Sequence, residues 1–159
     1  MKTLKIWVIN GPNLKYLERR DPALYGGESW QEIERKIREK INPLSVDMEI
    51  LFLDKEGDII EKIHQISAEA KILEKEKNQK TGIILNPGAY SHTSLAILDC
   101  LMMSEVPVIE VHLSNLYQRE DRRKVSVTGE GALGVIMGLG WKVYWLAVEA
   151  LREELIYED

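Results

Sequence analysis

Short apolar runs alternate with longer stretches of helical periodicity along the chain. The apolar runs have the length and the polar borders of buried strands, and they occupy residues 4–10, 46–54, 81–86, 107–114 and 133–140. Apolar residues also recur every three or four positions, as on one face of a helix, at 29–41, 58–73, 93–103 and 141–155. Ser29 and Glu32 open the first of these helices as the two partners of a capping box. The pattern therefore predicts strands and helices in alternation.

Alternation of apolar strands with helices is typical of a parallel sheet that helices cover on both faces. Five such strands in 159 residues predict an α/β, flavodoxin-like, doubly wound five-stranded parallel sheet. No linker, internal repeat or low-complexity tract interrupts the chain, so residues 1–159 are expected to form a single domain. The charged segment 74–80 is interpreted as a solvated helix end.

Polar residues concentrate where three of the predicted strands end. The segments are Asn10–Asn13, Asn86–Gly88 and His112–Asn115, and all are rich in hydrogen-bonding groups. Open α/β sheets bind their ligands outside the carboxyl ends of the strands. A small-molecule site is therefore predicted at this edge of the sheet.

Composition narrows the kinds of partner and the cellular compartment that fit this protein. The net charge is −5, which argues against a general nucleic-acid surface. The single cysteine excludes an internal disulfide and fits a reducing compartment. No apolar stretch is long enough for a signal peptide or a membrane span. We therefore expect a cytoplasmic protein without nucleic-acid or membrane partners.

Several familiar motifs are weak in this chain. Segment 129–134 has the glycine spacing of a nucleotide-binding loop, but such a loop follows a strand and this one precedes a strand. Cys100 lies in an apolar helix and is interpreted as core, whereas His64 is interpreted as a solvated helix residue. His92 and His112 fall at predicted strand ends, but no third ligand at matched spacing accompanies them to bind zinc. Acid–base or hydrogen-bonding work is favoured for both.

The segment 18–29 places a tyrosine on a glycine-containing loop beside arginines. Tyr25 precedes Gly26 and Gly27, and Arg20 comes shortly before it. A phenol is a poor base at neutral pH, but a guanidinium about 4 Å from a phenolate stabilises it by on the order of 4 kcal/mol at an effective dielectric of about 20. Tyr25 is therefore a candidate base on a loop that closes over a substrate. The alternative is a surface loop whose tyrosine packs on a neighbour.

A second basic cluster, residues 117–124, follows the fourth predicted strand. It contains Arg119, Arg122 and Arg123. Arginine side chains bind carboxylates through two hydrogen bonds at once, so the cluster is a candidate lid over the strand-end site. A solvated surface charge run is the alternative, and the residues alone leave both open.

Four motifs, in order and with compatible gaps, resemble those of type II 3-dehydroquinate dehydratases. They are INGPNL (9–14), RRDPALYG (19–26), LNPGAYSHTS (85–94) and IEVHLSN (109–115) with its following arginines, and the similarity extends into GVIMGLGWKVYWLAVEAL (134–151). The resemblance implies a lyase of the shikimate pathway, which leads to chorismate and the aromatic amino acids. Its reaction is the reversible anti dehydration of 3-dehydroquinate to 3-dehydroshikimate through an enolate, without metal or cofactor.

The resemblance also implies roles for individual residues. Tyr25 would be the base, and Arg20 would hold it as a phenolate. Asn13 would anchor a water that stabilises the enolate, and His112 would be the general acid. Glu110 would orient His112 or the loop arginines. Substrate contacts are expected from Asn86, His92, Arg123, the backbone amides of Leu113 and Ser114, and Asp99 of a neighbouring subunit. Family members form trimers assembled into dodecamers, so the same homo-oligomer is expected here.

The chain departs from the family pattern at a few loop positions. Glu18 stands where a glycine is usual, which adds a negative charge to the loop. Asp21 replaces a usual glutamate. Arg122 occupies a position that is often aromatic, so the substrate carboxylate is expected to meet either Arg122 or Arg123. None of these changes removes a catalytic group.

A flavin- or nucleotide-binding module of the same fold is the main alternative function. Such a module would carry a Ser/Thr-rich phosphate-binding loop after its first strand. The loop here, NGPNLKYLERRDP (10–22), has no such cradle. A relative that has lost activity is a third possibility, and formation of the conjugated enone product distinguishes the lyase from both.

Overall fold

A parallel sheet organises residues 2–157, the part of the chain that the computed structural model describes. Its strands are β1 (Thr3–Asn10), β2 (Val46–Phe52), β3 (Gln79–Asn86), β4 (Val108–His112) and β5 (Gly134–Met137). The α-helices are α1 (Pro22–Tyr25), α2 (Trp30–Ile41), α3 (Glu56–Lys77), α4 (Leu95–Met103) and α5 (Lys142–Arg152). The strand order β2-β1-β3-β4-β5, with every neighbouring pair parallel, is the flavodoxin-like doubly wound order. The predicted fold class is confirmed.

Short helical segments connect the larger elements and carry much of the strand-end edge. The 3₁₀ segments are Leu14–Arg19, Gly88–His92, Leu116–Gln118, Asp121–Arg123 and Thr128–Gly131, and a π-helical turn, Glu153–Tyr157, follows α5. The segments therefore place short, polar turns directly beside the ends of β1, β3 and β4.

The third strand begins earlier than the hydrophobic pattern predicts. Asn78 adopts a left-handed conformation with φ of 52° and ends α3, so the chain reverses at once. Gln79 and Lys80 then pair with β1 instead of extending the helix. The prediction of a solvated helix end over 74–80 is therefore wrong for its last residues, because pairing with β1 outweighs their polar character.

The fourth strand is shorter than predicted. It ends at His112, and the carbonyls of His112 and Leu113 accept hydrogen bonds from the amides of Gly138 and Gly140 at 3.1 Å each. Leu113 and Ser114 therefore follow the strand as part of the strand-end edge. Helix α4 begins at Leu95, after the residue predicted, because the Ser94 hydroxyl caps it by accepting from the Ile97 amide at 2.9 Å.

Alternation along β1 directs side chains into two apolar layers. Ile6 and Val8 pack in the layer that holds α2 and α5, and Trp7 and Ile9 pack in the layer that holds α3 and α4. The capping box at the start of α2 is confirmed by both of its hydrogen bonds. Cys100 is buried in the α4 layer, as predicted, and burial raises the pKa of its thiol. No helix within residues 2–157 has both the length and the apolar character that crossing a membrane requires.

Candidate active site

A cavity lies where β1, β3 and β4 end, and it encloses about 360 Å³ including its open mouth. The loops after β1 and β3 meet closely beneath it, because the Gly11 amide donates to the Asn86 carbonyl at 2.7 Å. A Cβ at Gly11 would lie 2.7 Å from the Pro87 carbonyl oxygen, so a side chain there is excluded. The polar lining of the cavity consists of Arg20, Tyr25, Asn86, His92, His112, Ser114, Arg119 and Arg123.

The phenol of Tyr25 receives hydrogen bonds from two guanidinium groups. Arg20 Nη2 donates to Tyr25 Oη at 2.6 Å, and Arg119 Nη1 donates to the same oxygen at 3.1 Å. Arg119 also donates to the Ser114 hydroxyl at 3.2 Å, which anchors it to the segment after β4. Coulomb attraction to the two cations stabilises negative charge on the phenol oxygen.

The segment that carries Tyr25 is a short helix and not an open loop. The Asp21 side chain accepts from the Ala23 amide at 3.0 Å, and Pro22 occupies the first helical position. Gly26, with φ of 88°, ends the helix. Tyr25 is half-buried and packs against the apolar layer below it. The interpretation of Tyr25 as a residue that packs on a neighbour is therefore confirmed, and its role as a base stays a prediction.

The two neighbouring arginines face different tyrosines. The Arg20 guanidinium lies 4.2 Å from the ring centre of Tyr25, whereas the Arg19 guanidinium lies 4.8 Å from the ring centre of Tyr16. Glu18 is exposed in the preceding 3₁₀ segment. Arg20 is therefore the member of the pair that reaches the cavity.

His112 is held by a buried carboxylate at the end of β4. Its Nε2 lies 2.6 Å from Glu110 Oε1, and Glu110 is 0% exposed. The Thr128 hydroxyl donates to Glu110 Oε2 at 2.6 Å, and the Ser126 hydroxyl donates to Oε1. A buried carboxylate is stable only with such partners, so this network fixes the direction of the imidazole.

The predicted substrate-binding residues, except Asp99, line the same cavity as Tyr25 and His112. His92 Nδ1 donates to the Val125 carbonyl at 2.8 Å, which leaves its other nitrogen for a ligand. Arg123 Nε donates to Glu120 at 2.7 Å. Hydrogen bonds to its own backbone and to Arg123 hold the pKa of the Glu120 carboxyl below its ordinary value. An ionised Glu120 therefore keeps Arg123 in place at the cavity.

Three sequence candidates lie outside the cavity lining. Asn13 has a left-handed backbone with φ of 69°, and its exposed side chain lines a neighbouring hollow. Asp99 lies on the exposed face of α4. Arg122 is exposed and lines an adjacent groove, whereas Arg123 lines the cavity itself.

Two residues make contacts at the site that the sequence did not predict. The sequence placed Arg119 in the basic cluster but did not predict its contact with Tyr25, because 94 positions separate the two residues. Tyr144 follows the apolar pattern of α5, so the sequence predicts an ordinary core residue. Its hydroxyl donates to Asn10 Oδ1 at 2.7 Å and accepts from Asn86 Nδ2 at 3.1 Å. The general rule that a buried phenol needs a polar partner is the only signal that pointed to it.

Comparisons with known proteins identify the family. The sequence model of the family described as dehydroquinase class II matches residues 4–152. A 3-dehydroquinate dehydratase of Clostridium botulinum is 44% identical over 156 residues, which cover 97% of this chain and 95% of that protein. The crystal structure of a type II dehydroquinase from Butyrivibrio crossotus superposes with a TM-score of 0.84 at 38% identity, covering 94% of this chain and 98% of the other. That of a type II dehydroquinase from Propionibacterium acnes superposes with a TM-score of 0.81 at 37% identity, covering 92% and 94%. The chain therefore belongs to the class II dehydroquinase family.

Proposed function

We propose that this protein is a lyase that catalyses the reversible anti dehydration of 3-dehydroquinate to 3-dehydroshikimate in the shikimate pathway. One observation carries the proposal: the Tyr25 phenol and the His112 imidazole line the same cavity. The phenol accepts hydrogen bonds from Arg20 and Arg119, and the imidazole is hydrogen-bonded to Glu110. The named relatives support the same reaction. The family resemblance places this reaction before chorismate and the aromatic amino acids.

Tyr25 acts as the base in the first step. Its phenolate takes a proton from the carbon beside the substrate ketone, and the electrons of that C–H bond form an enolate. Such a proton is only weakly acidic, so the step needs a placed base and donors where charge develops. Arg20 and Arg119 hold the phenolate before the step. A water anchored by Asn13 stabilises the enolate, by analogy with the family.

His112 acts as the acid in the second step. The enolate re-forms the ketone, its electrons make the carbon–carbon double bond, and the carbon–oxygen bond to the departing hydroxyl breaks. Hydroxide is a poor leaving group, so His112 protonates it and water leaves. Anti elimination requires the base and the acid to work on opposite faces of the ring. Together, the two steps combine proton transfer with the elimination of water and require no oxidant or reductant, and the family resemblance implies neither a metal nor a cofactor.

The remaining cavity groups bind the substrate. Asn86, His92 and Arg123 hold its hydroxyl and carboxylate groups, and the backbone amides of Leu113 and Ser114 receive the carboxylate. Their places in the cavity lining support these roles. The substrate is an anion, and local arginines on a protein of net charge −5 attract it without a general basic surface.

An ultraviolet assay tests the function directly, because the product is a conjugated enone and the substrate is not. Purified protein incubated with 3-dehydroquinate is expected to produce the enone absorbance. Protein with Tyr25→Phe, prepared identically, serves as the control for contaminating activity. If the unaltered protein forms no enone, the proposed lyase function is wrong.

The Arg119→Ala variant is expected to lower kcat about a hundredfold, similar to the loss of one donor at a developing charge. The change removes one of the two cations on Tyr25 Oη and the bond to Ser114. Arg122→Ala is the matched control, since Arg122 is exposed and lies outside the cavity lining. Steady-state kinetics measure both variants. Equal kcat values for the two would remove Arg119 from the mechanism.

We further propose that residues 1–159 act as a single catalytic domain, in the cytoplasm, within trimers that assemble into a dodecamer. The single cysteine supports a reducing compartment. Leu133, Val135 and Leu139 beside the sheet edge at β5 are exposed and support a subunit contact there. In such an assembly Asp99, exposed on α4, is available to a neighbouring subunit's cavity.

Light scattering after size-exclusion chromatography is expected to give about twelve times the 18.3 kDa mass of one chain. Val135→Lys is expected to reduce that mass, because it places a charge in the proposed contact. Lys142→Glu is the control, because it changes the charge at an exposed residue outside the proposed contact. A monomer peak for the unaltered protein would contradict the assembly.

A further inference from the structure

We propose that Tyr144 is a positioning residue that sets the orientation of the Asn86 side chain at the substrate cavity. The inference deepens the proposed function, on which it rests. Tyr144 lies on α5, is fully buried and is not part of the cavity lining, so it acts through Asn86.

A buried chain of three polar side chains connects α5 to the strand ends. Asn10 and Asn86 are register partners at the ends of β1 and β3. The Tyr144 hydroxyl lies between their side chains, donating to Asn10 Oδ1 at 2.7 Å and accepting from Asn86 Nδ2 at 3.1 Å. Asn10 and Tyr144 are 0% exposed and Asn86 is 3% exposed, so water does not replace these bonds.

The network has one consistent direction, and the Gly88 amide sets it. That N–H donates to Asn86 Oδ1 at 3.2 Å, so Nδ2 of the same amide must face Tyr144. The Tyr144 oxygen accepts from Nδ2 and gives its single proton to Asn10. Burial raises the pKa of the Tyr144 phenol, so the hydroxyl keeps that proton.

Reversing the Asn86 amide while Asn10 keeps its orientation would oppose like groups at both ends. Nδ2 would then face the Gly88 N–H, and Oδ1 would face a hydroxyl oxygen whose proton is already given to Asn10. Asn10 does not hold the Asn86 amide directly, because its Nδ2 has no hydrogen-bond partner among residues 2–157. Tyr144 and Gly88 together therefore determine which donor and which lone pair Asn86 presents to the cavity.

The ring of Tyr144 is itself fixed by packing. It meets the Trp30 ring edge to face, with ring centres 5.1 Å apart and an angle of 76° between the planes. Loss of the hydroxyl alone therefore leaves the ring in place and frees Asn86 to rotate. An ordinary core tyrosine would affect folding stability only, whereas a positioning residue changes substrate affinity.

The Tyr144→Phe variant tests this difference. We expect KM for 3-dehydroquinate to rise about tenfold while kcat stays within about threefold, the signature of lost binding without lost chemistry. Ile63→Val, in the α3 layer on the opposite side of the sheet, is the control for loosened packing and is expected to leave KM unchanged. Thermal unfolding verifies that each variant is folded.

A double-substitution cycle shows whether Tyr144 acts through Asn86. Asn86→Ala is expected to raise KM, and adding Tyr144→Phe to it is expected to change KM by less than about twofold. Independent, multiplying effects would overturn the proposal. Should Tyr144→Phe not fold, Asn10→Ala removes the acceptor of the Tyr144 proton instead and is expected to raise KM similarly; an unchanged KM overturns the proposal.

The same comparison separates this inference from the proposed function. If the unaltered protein does not turn over 3-dehydroquinate, the function fails, and calorimetry then measures the dissociation constant of the unreacted compound for the same set of variants. Weaker binding in Tyr144→Phe, absent from the Asn86→Ala background, supports the positioning role. Equal dissociation constants in all variants refute it.

Discussion

Replacing Tyr25 with phenylalanine is expected to lower kcat by about 10⁴-fold, the upper range of what a placed base contributes, with substrate affinity nearly retained. The change removes one oxygen atom. That oxygen accepts hydrogen bonds from Arg20 at 2.6 Å and from Arg119 at 3.1 Å, and no other side chain of the cavity lining has two cationic donors on one oxygen. The ring remains and continues to pack on the apolar layer below.

Steady-state kinetics and calorimetry together measure this result. Because the variant does not turn the substrate over appreciably, calorimetry reports the dissociation constant of 3-dehydroquinate directly. Tyr16→Phe is the matched control, since Tyr16 lies on the adjacent 3₁₀ segment and stacks with Arg19 outside the cavity. Near-normal turnover in Tyr25→Phe would assign the base to another residue.

The His112→Asn variant is expected to lower kcat about 10³-fold, because the departing hydroxyl loses its proton donor. Asparagine retains a hydrogen-bonding group near Glu110 and does not supply an acidic proton. Glu110 is 0% exposed and keeps the Thr128 and Ser126 hydroxyls as donors, so the network around it survives the change. His64→Asn, on the exposed face of α3, is the control.

Proton exchange separates the roles of the two residues. In heavy water, an enolate that forms and reverts introduces deuterium at the carbon beside the ketone, which NMR of the substrate detects. We expect His112→Asn to retain this exchange while dehydration slows, and Tyr25→Phe to lose both. If His112→Asn abolished the exchange as well, His112 would belong to the first step and not to the second.

Short-range patterns predicted most of the fold. The capping box at Ser29 and Glu32 and the apolar periodicities depend on residues within a few positions of one another, so they are legible in the sequence. Strand boundaries were less predictable. Gln79 belongs to β3 only because it pairs with Thr3 of β1, and no local property of a glutamine predicts that pairing.

The site was predictable as a place and only partly as a set of contacts. Parallel strands bring their carboxyl ends to one edge, so the polar strand ends in the sequence indicated the location of the cavity. The roles of individual residues came from the resemblance to a family. Asn13, expected in the site on that basis, lies outside the cavity lining, and Asp99, expected to reach a neighbouring subunit's site, is exposed on α4.

The sequence by itself determined the alternation of strands and helices, the sheet covered by helices on both faces and the edge where polar groups gather, because these follow from periodicity and caps. The family resemblance implied that Arg20 meets Tyr25, and only the tertiary structure decided that Arg119 meets it as well. Arg119 reaches Tyr25 from 94 positions away along the chain, whereas Arg20 lies five positions from it. Arg19 and Arg122 face elsewhere. It also decided that Tyr144 connects Asn10 with Asn86. Such contacts join residues that share no local pattern, and the packing of distant elements alone brings their atoms within bonding distance.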